Sequence, residues 1–207
     1  MRDVRAVVVY ESMYGNTHLV ADAVAEGLRS VDGVDAEAVA VAQASADVLT
    51  GADMVVVGGP THVHGMSRPS TRHAAAEDAQ KAERDLELEP DAEGDGLREW
   101  FDSVGPLPAL TAAFDTRLDA PVVITGRASK GIAKRLRRHG SDVLDEPRSF
   151  LVTKDNHLEE HEVEEARSWG RRLGVAATGG HVGDAVPEME AAARQELEYQ
   201  GDETDEG

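Results

Sequence analysis

The chain alternates short apolar runs with stretches of helical periodicity. Arg5 to Tyr10, Met54 to Val57 and Val122 to Ile124 are β-branched runs of strand length without polar alternation, the pattern of strands buried on both faces of a parallel sheet. They are predicted to be its central strands. Between the first two, Leu19, Val20, Ala23, Val24, Gly27 and Leu28 recur on one helical face, and Val34 to Val41 reads as a mixed strand, so the chain opens as a βαβ unit. Farther on, Ile132, Ala133 and Leu136 mark a basic helix, Phe150 to Val152 a last strand, and Val163, Ala166, Gly170 and Leu173 a final amphipathic helix. Strand and helix alternate throughout, which predicts a doubly wound α/β fold with five parallel strands.

Two segments depart from that minimum. From Pro69 to about Leu88 the sequence is rich in Ala, Glu, Gln and Arg, and the pairs Glu77 to Lys81 and Gln80 to Arg84 support an exposed helix. LELEPDAEGDG then breaks into an acidic loop. Leu97, Trp100, Phe101 and Val104 predict a further helix lying on the sheet. After Leu173, glycines lead into PEMEAAARQELEYQGDETDEG, expected to be a mobile acidic tail. The expected organisation is a domain over residues 1–174 with an insertion at about 69–95, and a tail over 175–207.

Composition narrows the chemistry. The 207 residues carry 40 Asp and Glu against 21 Lys and Arg, a formal net charge of −19, and no cysteine. The length suits one domain. Without cysteine there are no disulfides, no thiolate metal ligands and no thiol nucleophile. The acidic excess disfavours nucleic acid as a partner, Lys130 to Arg138 being the one basic patch. The first apolar run is far shorter than the ~20 residues of a membrane span and lacks a small-residue cleavage site, so a cytoplasmic protein with no membrane partner is expected.

In an open parallel sheet the ligand lies at the carboxyl ends of the strands where strand order reverses. There, Glu11-Ser12-Met13-Tyr14-Gly15-Asn16-Thr17 joins the first strand to the first helix, offering hydroxyl and amide donors and the N–H groups of a helix N-terminus. Such a loop binds a phosphate without a cation. No Lys or Arg lies between Arg5 and Arg29, so the loop is neither a Walker loop nor the spaced-glycine dinucleotide fingerprint, and ATP and NAD sites are disfavoured. The plain alternative is a polar strand-to-helix turn with Thr17 near the cap. Gly58-Gly59-Pro60 is likewise either a tight turn or the lead into a ligand loop carrying Thr61, His62 and His64.

Ser12-x-Tyr14-Gly15-Asn16-Thr17 resembles the flavodoxin loop that wraps the terminal phosphate of FMN, with Tyr14 where that family usually carries Thr. Val55 to Gly65 is similar to the family's third strand and flavin-contacting loop, Lys130 to Gly140 to its fourth helix, and His157 to Leu173 to its last. The resemblance spans residues 3–173 except for 69–95. It implies strand order 2-1-3-4-5 with helices on both faces, FMN as cofactor, electron transfer as function and a redox partner protein. It also implies cofactor-binding residues. Ser12, Met13, Tyr14, Gly15, Asn16 and Thr17 would hold the phosphate; Pro60, Thr61, His62, Val63, His64 and Gly65, with Thr125, Gly126, Arg127, Ala128 and Ser129, would border the ring. No catalytic residue or metal ligand is implied.

The family usually holds the ring between aromatic side chains of these two loops, and here neither loop has one. Either a histidine or Met66 lies against the ring, with Tyr14, His62 or a partner subunit filling the gap, or the ring is loosely held, or the flavin is absent. Two alternatives follow: a flavin-dependent NAD(P)H:quinone reductase, whose loop Ser12-Met13-Tyr14-Gly15 also resembles, and a flavin-free interaction domain. Arg127 or Lys130 is expected near the pyrimidine end of the ring, stabilising the anionic reduced flavin, unless both are solvated loop charges.

Two other constellations carry chemistry of their own. His157-Leu158-Glu159-Glu160-His161 spells the inverted zincin pattern, but no third ligand is evident, and acidic residues in a helix's first turn explain the glutamates. The helix of Lys130, Lys134, Arg135, Arg137 and Arg138 is either a solvated face or a dock for an acidic partner or the acidic tail.

Overall fold

The computed structural model describes residues 3–80 and 86–179. The tail expected from residue 175 on lies outside the described residues beyond 179. Among the described residues seven strands form one sheet: β1 (Val4–Tyr10), β2 (Val34–Ala40), β3 (Met54–His62), β4 (Gly65–Met66), β5 (Leu110–Leu118), β6 (Asp142–Val143) and β7 (Arg148–Val152). Their order is β2-β1-β3-β5-β6, with β7 also on β5 and β4 pairing antiparallel to β3. β6 pairs with Leu110 and Thr111, and β7 with Phe114 to Leu118, both parallel. They are successive segments of one edge strand. The sheet therefore has five parallel positions in the order 2-1-3-4-5.

The described residues form seven helices: α1 (Asn16–Arg29), α2 (Ala46–Leu49), α3 (Pro69–Ala79), α4 (Leu97–Ser103), α5 (Val122–Thr125), α6 (Ala128–Arg138) and α7 (Glu162–Ala177). Alternate residues of each strand point to opposite faces. Ala6, Val8 and Tyr10 thus join Phe114, Phe150 and Trp169 under α1 and α7, while Val7 and Val9 join Val55, Val57, Trp100 and Ile132 under α4 and α6. Both faces are packed, which explains why β1 and β3 read as unbroken apolar runs.

One predicted strand is corrected. Val122 to Ile124 forms the short helix α5, exposed by 45%, 85% and 65% at its three apolar residues. Pro121 and Gly126 bracket the run and leave no room for a strand. The fourth parallel strand is β5, whose polar residues hid it: Thr111 donates from Oγ1 to Asp142 O at 2.9 Å, and Asp115 Oδ2 accepts from Ser129 N at 2.7 Å. The helix expected from Pro69 to about Leu88 is also shorter, since α3 ends at Ala79.

α1 and α7 cross in very close contact. A Cβ at Gly27 would lie 2.0 Å from Arg167 O, and one at Gly170 would lie 2.2 Å from Val24 O. Only glycine at both positions lets the two backbones meet. This crossing fixes α1, and with it the loop at the amino end of α1.

Candidate functional site

β1 ends at Tyr10, and the chain turns through Ser12 to Gly15 before α1 begins. Gly15 takes a left-handed conformation with φ 88°, and its N–H donates to Ser12 Oγ at 3.2 Å. Thr17 is buried, its hydroxyl 2.7 Å from that of Thr116 on β5. Asn16 Nδ2 donates to Asn156 O at 2.9 Å and to Asn156 Oδ1 at 3.1 Å. Those bonds tie the first turn of α1 to the turn after β7.

The segment before α4 folds over the outside of this loop. Tyr14 Oη donates to Ala75 O at 2.8 Å, Glu89 N donates to Met13 O at 2.9 Å, and Met13 is buried with Ala75 and Ala92. Glu89 also meets His18, Oε1 to Nδ1 at 2.9 Å, and His18 stacks on Tyr10 with ring centroids 4.6 Å apart. Burial, then the nearby Glu89, Asp22 and Asp91 carboxylates, push the Tyr10 phenol up to about 12.

A cavity of about 700 Å³ opens at the carboxyl edge of the sheet, within the usual range for small-molecule sites. Met13, Tyr14, Asn16 and Thr17 line it from the first loop, and Pro60, Thr61 and His62 from the end of β3. Thr116, Arg117 and Leu118 line it from the end of β5, and the stretch from Val152 to His157 from β7 and its following turn. Leu86 closes one side.

The cavity wall beside His62 rests on a buried polar network. Glu11 accepts from Ser67 Oγ and, at 2.8 Å, from Leu97 N. Arg72 donates to Ser67 Oγ at 3.1 Å and to Glu99 Oε2 at 3.2 Å. Burial of His62 lowers its pKa, Glu11 opposing and Arg72 reinforcing that shift. Burial thus disfavours the charged imidazolium.

The predicted site residues divide into four groups. Met13, Tyr14, Asn16, Thr17, Pro60, Thr61 and His62 line the cavity together. Ser12 and Gly15 shape the loop without lining it. Val63, His64 and Gly65 form a tip outside it, with Val63 81% exposed and both Val63 and His64 at positive φ.

Thr125 to Ser129 do not line the cavity either. Because the strand ends at Leu118, they lie one stretch farther along the chain, where they brace the wall. Ala128 N donates to Thr61 Oγ1 at 2.9 Å, and Arg127 is bound to Pro147 O and Ser149 Oγ. Gly126, at φ 73°, bridges to His64, and a Cβ there would lie 2.4 Å from His64 Cα. Met66 is buried under α6 and does not line the cavity; Tyr14 and His62 do.

Sequence reasoning missed Arg117 and the 152–157 stretch. The rule that ligands lie at strand carboxyl ends, applied to the last strand, would have found the latter. Of the inverted zincin pair, His157 lines the cavity while His161 precedes α7 in a left-handed conformation. Among the described residues, no group of three or more His, Cys, Asp or Glu is placed to hold a metal ion.

Residues 8–94 match the flavodoxin family. Solved structures with this fold include a flavodoxin from the domain Archaea, with 21% identity, a TM-score of 0.55, and 84% of this chain and 99% of that chain covered. Flavodoxin 1 from Bacillus cereus, in the oxidised state, is similar at 20% identity and a TM-score of 0.56, covering 82% of this chain and 96% of that one. A flavodoxin of Streptococcus pneumonia TIGR4 gives 19% identity and a TM-score of 0.56, over 84% and 99% of the respective chains. No curated protein matches the sequence. The chain is flavodoxin-like in fold, and the family match is confined to residues 8–94.

Proposed function

We propose that this protein is an FMN-dependent electron carrier of the cytoplasm that works with a separate redox partner protein. The observation that carries this reading is the convergence on one cavity of a cation-free, hydroxyl-rich loop at a helix N-terminus and the carboxyl ends of β3 and β5. The residues fit the cofactor. Asn16, Thr17, Tyr14 and the N–H groups at the start of α1 suit a phosphate, while His62, Arg117 and Leu118 offer mixed polar and apolar contacts to a ring. When bound, FMN supplies one- and two-electron chemistry. The chain's residues would hold the phosphate and orient the ring, with His62 beside it. Among the described residues no helix is long and apolar enough to cross a membrane, and the net charge of −19 favours a basic face on the partner.

A second reading, a flavin-dependent NAD(P)H:quinone reductase, is favoured by the mouth of the site. Among the described residues lining the cavity, Tyr14 is the one Phe, Tyr or Trp side chain, which leaves a ring face open to a second substrate. Steady-state turnover of NAD(P)H with a quinone by the FMN-loaded protein separates the two, because a carrier needs its own reductase.

The primary test is titration of flavin-stripped protein with FMN and with riboflavin, followed by flavin fluorescence. Saturable FMN binding with little affinity for riboflavin is the expected result. Binding of neither would overturn both redox readings in favour of a flavin-free interaction domain.

A further inference from the structure

Arg117 lines two cavities at once: the one described above and a smaller one of about 390 Å³ bounded by Val122, Arg127 and Asp145 to Ser149, whose Asp145 and Glu146 carboxylates form no ion pair with it. Its Nη1 donates to Ala120 O at 2.8 Å, to Leu118 O at 3.2 Å and to Thr125 Oγ1 at 3.5 Å. All three acceptors are neutral. Its Nε is buried and has no hydrogen-bond partner. Among the described residues no carboxylate pairs with it, whereas Arg5, Arg72, Arg135, Arg148 and Arg167 each pair with an Asp or Glu.

A half-buried guanidinium without a counter-ion is costly, and in a chain with 40 acidic residues its isolation leaves the counter-charge to whatever fills the cavity. Strand alternation indicates which end of the ligand that is. Thr116 turns to Thr17 and the phosphate loop, while Arg117, on the opposite face of β5, turns to Ala120 and Thr125. The phosphate side and the ring side are thus divided between consecutive residues.

We propose that Arg117 is the counter-charge for the flavin ring in its reduced, anionic form, and so a positioning residue that raises the reduction potential of bound FMN. This rests on the FMN reading above. Uptake of two electrons and one proton leaves a neutral flavin ring with one negative charge. In the test, two molecules of a reduced viologen dye supply the electrons, each losing one, and the buffer supplies the proton. The role expected from sequence for Arg127 passes to Arg117, because Arg127 is bound to Pro147 and Ser149 outside the cavity.

The experiment compares the two-electron midpoint potential and the oxidised-state FMN affinity of the holoprotein with those of Arg117→Gln, Arg117→Lys and Arg127→Gln. Arg117→Gln is expected to weaken binding of reduced FMN about tenfold more than oxidised FMN, which lowers the potential by about 30 mV. Arg117→Lys is expected to restore most of that loss, and Arg127→Gln to leave the potential unchanged. Equal weakening of both redox states by Arg117→Gln would overturn the assignment, since it would place the side chain at the phosphate or in a purely structural role. An equal drop in Arg127→Gln would overturn it as well. Should Arg117→Gln fail to fold, the lysine variant decides: a wild-type potential supports the proposal and a tenfold loss for the reduced state overturns it. Wild-type protein that binds no FMN would fail the functional reading itself, a result distinct from a bound cofactor with an unmoved potential.

Discussion

The α1–α7 crossing sets a sharp test of how this fold holds its ligand loop. Gly27→Ala places a methyl group 2.0 Å from Arg167 O, where ordinary contact begins at 3.4 Å. Two packed helices must part by more than an ångström to accept it. Overpacking of this kind costs about 1–3 kcal/mol, and here the obstacle is backbone, which has no rotamer to yield. Opposing it is the helix propensity gained by replacing glycine, about 1 kcal/mol. With rigid backbone as the obstacle the cost falls at the upper end, about 2–3 kcal/mol, so the net expectation is destabilisation by about 1–2 kcal/mol, a shift of roughly half to one molar in the urea midpoint.

Gly131→Ala in α6 is the internal control. Its nearest neighbours would be Met66 Cε at 3.6 Å and Met66 Cγ at 3.8 Å, ordinary contacts. Only the propensity term remains, so that variant gains about 0.5–1 kcal/mol. Opposite signs for one chemical change in two helices are the signature sought in urea unfolding. Gly27→Ala unfolding at or above the wild-type midpoint would refute the reasoning. Gly27→Ala with Gly170→Ala is expected to cost less than the two single changes together, because both open the same gap.

Three further expectations follow from the site. Thr17→Val removes one hydroxyl of the buried Thr17–Thr116 pair and is expected to cost about 1–2 kcal/mol in denaturant unfolding; FMN affinity measured by fluorescence falls with it, while riboflavin affinity does not change. Arg72→Met strips the buried Glu11–Ser67–Arg72 network of its cation and is expected to cost about 3 kcal/mol or more, with part of the loss recovered when Glu11→Gln is added, as read by urea unfolding of the double variant. Because His62 has its pKa lowered below 6.5 by burial, the folded state binds fewer protons than the unfolded state. Stability is therefore full above the unfolded value and declines as pH falls from there through the folded value; urea midpoints from pH 8 to 5 should show that slope, and His62→Asn should flatten it.

What was legible from sequence follows from how each element is buried. β1 and β3 are packed on both faces, so Arg5 to Tyr10 and Met54 to Val57 announced themselves as apolar runs. β5 is as deeply buried from Thr111 to Thr116, yet Thr111, Asp115 and Thr116 are paid off by partners on β6, α6 and α1. Such partners are remote in the chain, and no local pattern reports them. Val122 to Ile124 misled in the opposite sense: a β-branched run is a strand signal only if something covers it, and here nothing among the described residues does. The site followed the same logic. Met13, Tyr14, Asn16 and Thr17 were legible because one loop carries them, while Arg117 depended on where β5 stops.

The His64–Gly126 bridge has a kinetic consequence. The tip after β3 and the loop after α5 touch backbone to backbone there, at a position where even a methyl group has no room. Two loops joined in this way cannot fluctuate independently; they open as one cooperative unit. Amide hydrogens of both loops should then exchange at a common rate, and a substitution that loosens either loop should quicken exchange in both.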